Sequence, residues 1–175
     1  MKKFAILLAV LLALSSVTAL ADNTVDLKEN SDTLRFYLTL EDGVTVEQTP
    51  YDAGVVGTID VEALDGLLIV FSLMPDDSYT GLEMNELSDA EVEALSGVVM
   101  EDMGNGTVER RDLPCGLQAL NLRDENTTEY IDLTLAGGYF MYLEAYHADF
   151  TPLSETEIST AKAIFDSLGY EETTL

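Results

Sequence analysis

Two stretches of the sequence, LSDAEVEAL from Leu87 and LSETEISTA from Leu153, open in the same way. A serine, Ser88 or Ser154, stands where a helix N-cap belongs. A glutamate three residues later, Glu91 or Glu157, can reach back to close a capping box, and the preceding leucine can staple onto Val92 or Ile158. Such a cap is worth about 1 kcal/mol. Val92, Leu95, Val99 and Met103 then share one helical face until Gly104-Asn105-Gly106. Ile158, Ala161, Phe165 and Leu168 share another until Gly169. These two helix starts constrain the fold more than any other feature, because nearly everything around them reads as strand.

Leu34 to Leu40, LRFYLTL, alternates strictly, with Leu34, Phe36, Leu38 and Leu40 on one face. That is a half-buried strand. Val44 to Gln48 begins another, stopped near Pro50, and residues 55–61 (VVGTIDV) give a third. Asp65-Gly66 signals a turn. The short apolar run Leu67 to Leu73, LLIVFSL, fits a strand covered on both faces. Between the helices lie 107–112, 116–122, 128–135 and 139–147, the last two joined at Ala136-Gly137-Gly138 as a hairpin. Residues 22–32 have no hydrophobic period and read as a flexible N-terminal tail. The order strands, helix, strands, helix predicts one globular α+β domain over 33–170, with a largely antiparallel sheet of about six strands and helices packed on it.

Residues 1–21 belong to no fold. Lys2 and Lys3 precede an apolar stretch from Phe4 to Leu14, and Ala19-Leu20-Ala21 is a small-x-small cleavage site. This is the order of a secretory signal peptide cut after Ala21, and the apolar stretch falls short of the roughly 20 residues a bilayer span needs. The expected location is therefore secreted or extracytoplasmic, with no membrane insertion after cleavage. The chain carries 33 acidic and 8 basic residues, a net charge of −25. Loss of Lys2 and Lys3 takes that to −27. Phosphate backbones are bound by Lys and Arg that release counterions, so nucleic acid is excluded as a partner. A strong like-signed charge favours a soluble monomer; the partner, an unknown protein or small ligand, is left open, and a cationic one, a cation-rich medium or a plain solvated acidic surface is each compatible with the charge.

The stretch VERRDLPCGLQAL, residues 108–120, holds the chain's one cysteine. A lone cysteine in an exported chain leaves no disulfide framework, so core packing must carry the stability. Cys115 and the single histidine, His147, raise the alternative of a thiol-dependent hydrolase, which needs a thiolate beside a base. Against it, Cys115 sits between Pro114 and Gly116 at a strand-entry turn and not at a helix N-terminus. His147 ends a strand beside Ala148-Asp149, where a surface hydrogen bond accounts for it. Arg110 and Arg111 fall on opposite faces of their strand, which predicts separate pairings with surface carboxylates.

A second alternative is weak calcium binding. DMGNG (102–106) and DENTTE (124–129) are the nearest acidic loops, but EF-hand spacing is absent and both read as turns. There is no G-x-S-x-G elbow and no Gly-rich phosphate loop. No cofactor, catalytic residue or metal ligand is therefore assigned. One surface remains. In YFMYLEAYH, Phe140, Tyr142, Glu144 and Tyr146 share a face, opposite Tyr139, Met141, Leu143 and Ala145. Two apolar faces predict a central strand, with a pocket lined by tyrosine hydroxyls as the other reading.

The LSDAEVEAL helix, GLQALNL, the GGYFMYLEAY hairpin strand and a closing helix with Ile158, Ala161, Ile164, Ser167 and Leu168 together resemble the PsbP-like superfamily, which includes DcrB-like envelope proteins. The resemblance runs over about residues 33–169, a whole domain in size. It implies an α/β sandwich with helices on both faces of an antiparallel sheet. It also implies an extracytoplasmic, non-enzymatic accessory or binding role, and it brings no catalytic residues. Secretion from a bacterial host should yield a chain beginning at Asp22 by intact-mass measurement. A product that keeps Met1 or Lys2 would instead mark an uncleaved anchor.

Overall fold

The computed structural model describes residues 24–27, 34–79, 81–104 and 106–172. The expected export signal at 1–21 and most of the 22–32 segment lie outside the described residues. The strands are β1 (Thr24–Asp26), β2 (Leu34–Thr39), β3 (Val44–Tyr51), β4 (Gly54–Val61) and β5 (Leu67–Pro75). Helix α1 (Asp89–Met103) follows, then β6 (Gly106–Asp112), β7 (Gln118–Asp124), β8 (Glu129–Ala136) and β9 (Tyr139–His147). Helix α2 (Glu155–Asp166) and β10 (Leu168–Glu172) end the order. Both helices start at the expected capping boxes, with Ser88 and Ser154 accepting from the N–H of Glu91 and Glu157.

Every strand pairing is antiparallel. Seven strands form one sheet in the order β3-β4-β5-β9-β8-β7-β6, and three form a second in the order β1-β2-β10. The fold class is thus the expected α+β sandwich, with the sheet divided in two. Strand β9 lies at the centre of the large sheet, as its two apolar faces require. Met141, Leu143 and Ala145 point to a core closed by the small sheet and α2, together with Phe36, Leu38, Phe71, Leu73 and Phe165. Each such side chain contributes about 1.5–3 kcal/mol when fully buried. On the other face Leu120, Leu122, Ile131, Leu133 and Leu135 meet Val92, Leu95, Val99 and Met103 of α1.

Three readings are corrected. Residues 22–32 are not all tail, since Thr24–Asp26 pair with β2 and Leu27 is buried. Strand β3 does not stop at Pro50 but runs through it to Tyr51. It can do so because β3 is an edge strand, where a missing N–H is tolerated. Gly169 does not close α2, which ends at Asp166 with Ser167 as C-cap. Leu168 and Gly169 already belong to β10, which runs to Glu172. Gly169 lies opposite Tyr37 so closely that a Cβ would stand 2.1 Å from the ring. The β8–β9 turn is as expected, with Gly137 and Gly138 both at positive φ, 57° and 75°. That conformation suits the two-residue hairpins favoured by strand twist.

The arginine pair is also corrected in part. Arg110 and Arg111 do fall on opposite faces, but neither rests mainly on surface carboxylates. Arg110 donates to the carbonyls of Met84 and Leu87, at 3.1 and 2.7 Å, just ahead of α1. Arg111 turns to the other face and holds Asp132 of β8 with two parallel bonds, Nε to Oδ1 at 3.0 Å and Nη2 to Oδ2 at 2.7 Å. Asp132 is 0% exposed. Asn121 donates to the same carboxylate at 3.0 Å. Arg111 also bonds Asp166 of α2, where Lys162 joins it, and its guanidinium lies 5.4 Å from the Phe165 ring centre.

Removing one member of a buried ion pair costs about 3–5 kcal/mol because the other charge is left bare. R111M should therefore lower stability by that amount in urea unfolding, whereas the double variant R111M/D132L should recover most of the loss. A double variant no more stable than R111M shows that the pair does not act as a unit.

Candidate functional site

Cys115 and His147 are not brought together. Cys115 sits in the tight β6–β7 loop, where Leu113 N–H donates to Leu117 O at 2.8 Å, and its side chain packs half-buried against the core. Ala119 is level with Thr134, and Thr134 with Met141. His147 lies six residues further along β9, about 20 Å of strand. The two residues thus mark opposite ends of the sheet, which removes the thiol pair as a nucleophile and base. His147 is fully employed where it stands. Its Nδ1 is 3.1 Å from the Gly66 carbonyl oxygen, which only accepts, so Nδ1 carries the hydrogen. Its Nε2 is 3.0 Å from Glu157 Oε1. Glu157 also accepts from Ser154 with its other oxygen, so one carboxylate caps α2 and pins it to β9. The expected neighbour Asp149 instead accepts from Thr151.

The acidic loops are similarly committed. Asp124 accepts from the backbone N–H groups of Asn126, Thr128 and Glu129, closing the β7–β8 turn. Residue 105, in the DMGNG stretch, lies outside the described residues. Among the described residues no group of three or more His, Cys, Asp or Glu side chains is arranged to hold a metal ion.

What remains open is one face of the large sheet. Helix α1 lies over β6 and β7, and the short turn Met84–Glu86 lies against β7 and β8. Over β4, β5 and β9 the same face reaches solvent. Val56 and Thr58 of β4 and Ser72 of β5 are half-buried there, and Leu68 is 41% exposed. Tyr142, Glu144 and Tyr146 of β9 line its middle, all half-buried. Tyr142 donates to Glu144 Oε2 at 2.7 Å. Strand register sets Glu144 between Val70 of β5 and Ile131 of β8, and Tyr146 between Leu68 and Glu129.

That setting explains the electrostatics. Burial pushes the Glu144 carboxyl up to about 7, the Glu129 charge adds to the rise, and the bond from Tyr142 opposes it. Burial and the Glu144 charge raise the Tyr142 hydroxyl well above its ordinary range, and Tyr146 rises for the same two reasons. The sequence pointed to Tyr142, Glu144 and Tyr146 as one face. It did not point to Leu68 or Phe150, whose ring stacks on Tyr146 at 5.8 Å and 15°. Leu68 lay hidden in an all-apolar run, and Phe150 sits in a loop with no period.

No protein-family model matches the chain, and no curated protein matches it. A solved structure that it resembles is the solution structure of cyanobacterial PsbP (CyanoP) from Synechocystis sp. PCC 6803. The likeness covers 89% of this chain and 97% of that one, at 13% identity and a TM-score of 0.48. At that score it carries no argument, and the α+β description rests on the strands and helices themselves.

A carboxyl whose folded pKa is raised binds its proton more tightly folded than unfolded. Stability from that proton is full below the ordinary value of 4.5 and is lost as pH rises through about 7. E144Q keeps a neutral group there at every pH. It should match the parent near pH 4 and exceed it by about 1–3 kcal/mol at pH 8 in urea unfolding. An equal difference at both pH values removes the assignment of a proton to Glu144.

Proposed function

We propose that the chain is an exported, acidic, non-enzymatic α+β domain that serves as a protein- or ligand-binding accessory module of the cell envelope or extracellular space. The observation that carries this reading is the open sheet face around Tyr142, Glu144 and Tyr146, with Leu68 and Phe150 beside it. Scattered exposed apolar residues need no explanation, but contiguous ones rimmed by polar groups mark interaction surfaces. The reactive side chains supply the other half of the support. His147 and Arg111 are tied into the fold, and Cys115 lies at the opposite end of the sheet from His147. The leader at residues 1–21 supports export, and the order of elements that resembles the PsbP-like superfamily supports an accessory role. Among the described residues no helix is long and apolar enough to cross a membrane.

Photo-cross-linking tests the reading. Benzoylphenylalanine placed at Tyr146 should give a discrete adduct in the native extracytoplasmic fraction. The same probe at Tyr37, on the small sheet, should not. L68D should abolish the adduct and C115A should leave it unchanged. Equal adducts at both positions, or a turnover activity lost with C115A, would overturn it.

A further inference from the structure

The open face carries an acidic group that meets no cation among the described residues. The described residues contain five cationic side chains, Arg35, Arg110, Arg111, Arg123 and Lys162. Arg35 bonds Asp26. Arg110 holds the approach to α1, and Arg111 holds Asp132. Arg123 bonds Asn121 and lies over the Tyr130 ring, and Lys162 bonds Asp166. His147 is held by Gly66 and Glu157. None of them meets Glu144, whose hydrogen bond comes from Tyr142.

Beside Ser72 and Glu129, the surface around that carboxyl is apolar and aromatic. Leu68 and Phe150 are exposed at 41% and 55%. Leu68 faces Tyr146 across the β5–β9 ladder, and the Phe150 ring stacks on that tyrosine. Phe150 holds φ at 54°, a conformation uncommon for a bulky residue. Its N–H bonds the His147 carbonyl at 2.9 Å, which fixes the loop with the ring outward. A carboxyl in apolar surroundings, bordered by the electron-rich face of a tyrosine, complements one basic side chain flanked by apolar ones.

We propose that this face docks a partner protein through one lysine or arginine, which passes over Tyr146 to meet Glu144 while apolar neighbours of that residue cover Leu68 and Phe150. The inference rests on the binding reading above and names the surface and the partner's chemistry. The titratable groups facing Glu144 are Tyr142 and Tyr146 on β9 and Glu129 on β8. From β5 it meets only Leu68, Val70 and Ser72. The partner's cation needs the ionised carboxylate, so docking releases the Glu144 proton and tightens as pH rises through about 7.

The test uses the full chain and two acetylated, amidated peptides, Gly-Leu-Lys-Phe-Gly and its norleucine-for-lysine counterpart, titrated by NMR. The lysine peptide should shift the amides of Leu68, Tyr146 and Phe150 and saturate. Its Kd should fall about ten-fold from pH 6 to pH 8, as the ionised fraction of Glu144 rises. E144Q should weaken it about ten-fold or more and erase the pH dependence, because the carboxylate is the group that pairs. The inference fails if the norleucine peptide binds as well, if E144Q changes nothing, or if shifts spread over acidic turns such as Asp42-Gly43. It fails also if methylammonium competes as well as the peptide, which would make the site one for small amines. Cross-linking at Tyr146 that is lost in L68D but kept in E144Q would sink this inference and leave the binding reading standing.

Discussion

Strand β8 is walled on both sides, and much of the architecture follows from what it carries. A strand buried on both faces is usually apolar throughout. β8 instead places Tyr130, Asp132 and Thr134 on one face, all within 1% of complete burial. A carboxylate there needs a partner, because a bare buried charge is far costlier than a paired one. Arg111 reaches across from β6, two strands away, and brings Asp166 of α2 with it. An edge strand that is otherwise exposed is thereby tied to the centre of the sheet. A buried pair is weak proof of extra stability against apolar replacements. Its firmer effect is on register, since a one-residue slip of β6 would turn Arg111 to the α1 face.

The strands and helices were legible because their signals are local. Alternation in LRFYLTL and YFMYLEAYH, and the serine and glutamate of each capping box, are short-range patterns that survive any tertiary context. Strands β1 and β10 were not legible, being three and five residues long and strands only by virtue of lying against β2. Leu168 and Gly169 continued a helical period in sequence, yet the close approach of Gly169 to Tyr37 is a long-range fact. The Arg111–Asp132 pair needed the register of three strands at once. Its one local sign was Asp132 standing alone in the apolar stretch YIDLTL. The candidate face was half legible, because Tyr142, Glu144 and Tyr146 share a strand whereas Leu68 and Phe150 join them only through pairing and a loop.

Charge is distributed unequally between structure and surface. Three of the described cations join elements, Arg35 tying β1 to β2, Arg110 holding the start of α1 and Arg111 tying β6 to β8 and α2, while Lys162 supports Asp166 within α2 and Arg123 bonds Asn121 within β7. The acidic residues greatly outnumber them and mostly lie on the surface, at turns and helix starts. Some of these are structural, as Glu91, Glu157 and Asp124 are, each held by N–H or O–H donors. The remainder give the chain a strong like-signed charge that repels itself.

Glu144 fits neither group. Among the described residues it caps no helix, closes no turn and meets no cation, and it occupies a mid-strand position flanked by Val70 and Ile131. Packing alone would favour valine or threonine there, as β-branched residues suit a half-buried sheet surface. A carboxyl at this place loses solvation and lies near the like charge of Glu129, both of which count against the folded state near neutral pH. Where a residue breaks the local rules of a fold that otherwise obeys them, function is the usual reason. Asp132 breaks the same rule but is answered by Arg111 within the chain. Among the described residues Glu144 is answered by a tyrosine hydroxyl and no cation, which is the imbalance that the proposed basic partner would remove.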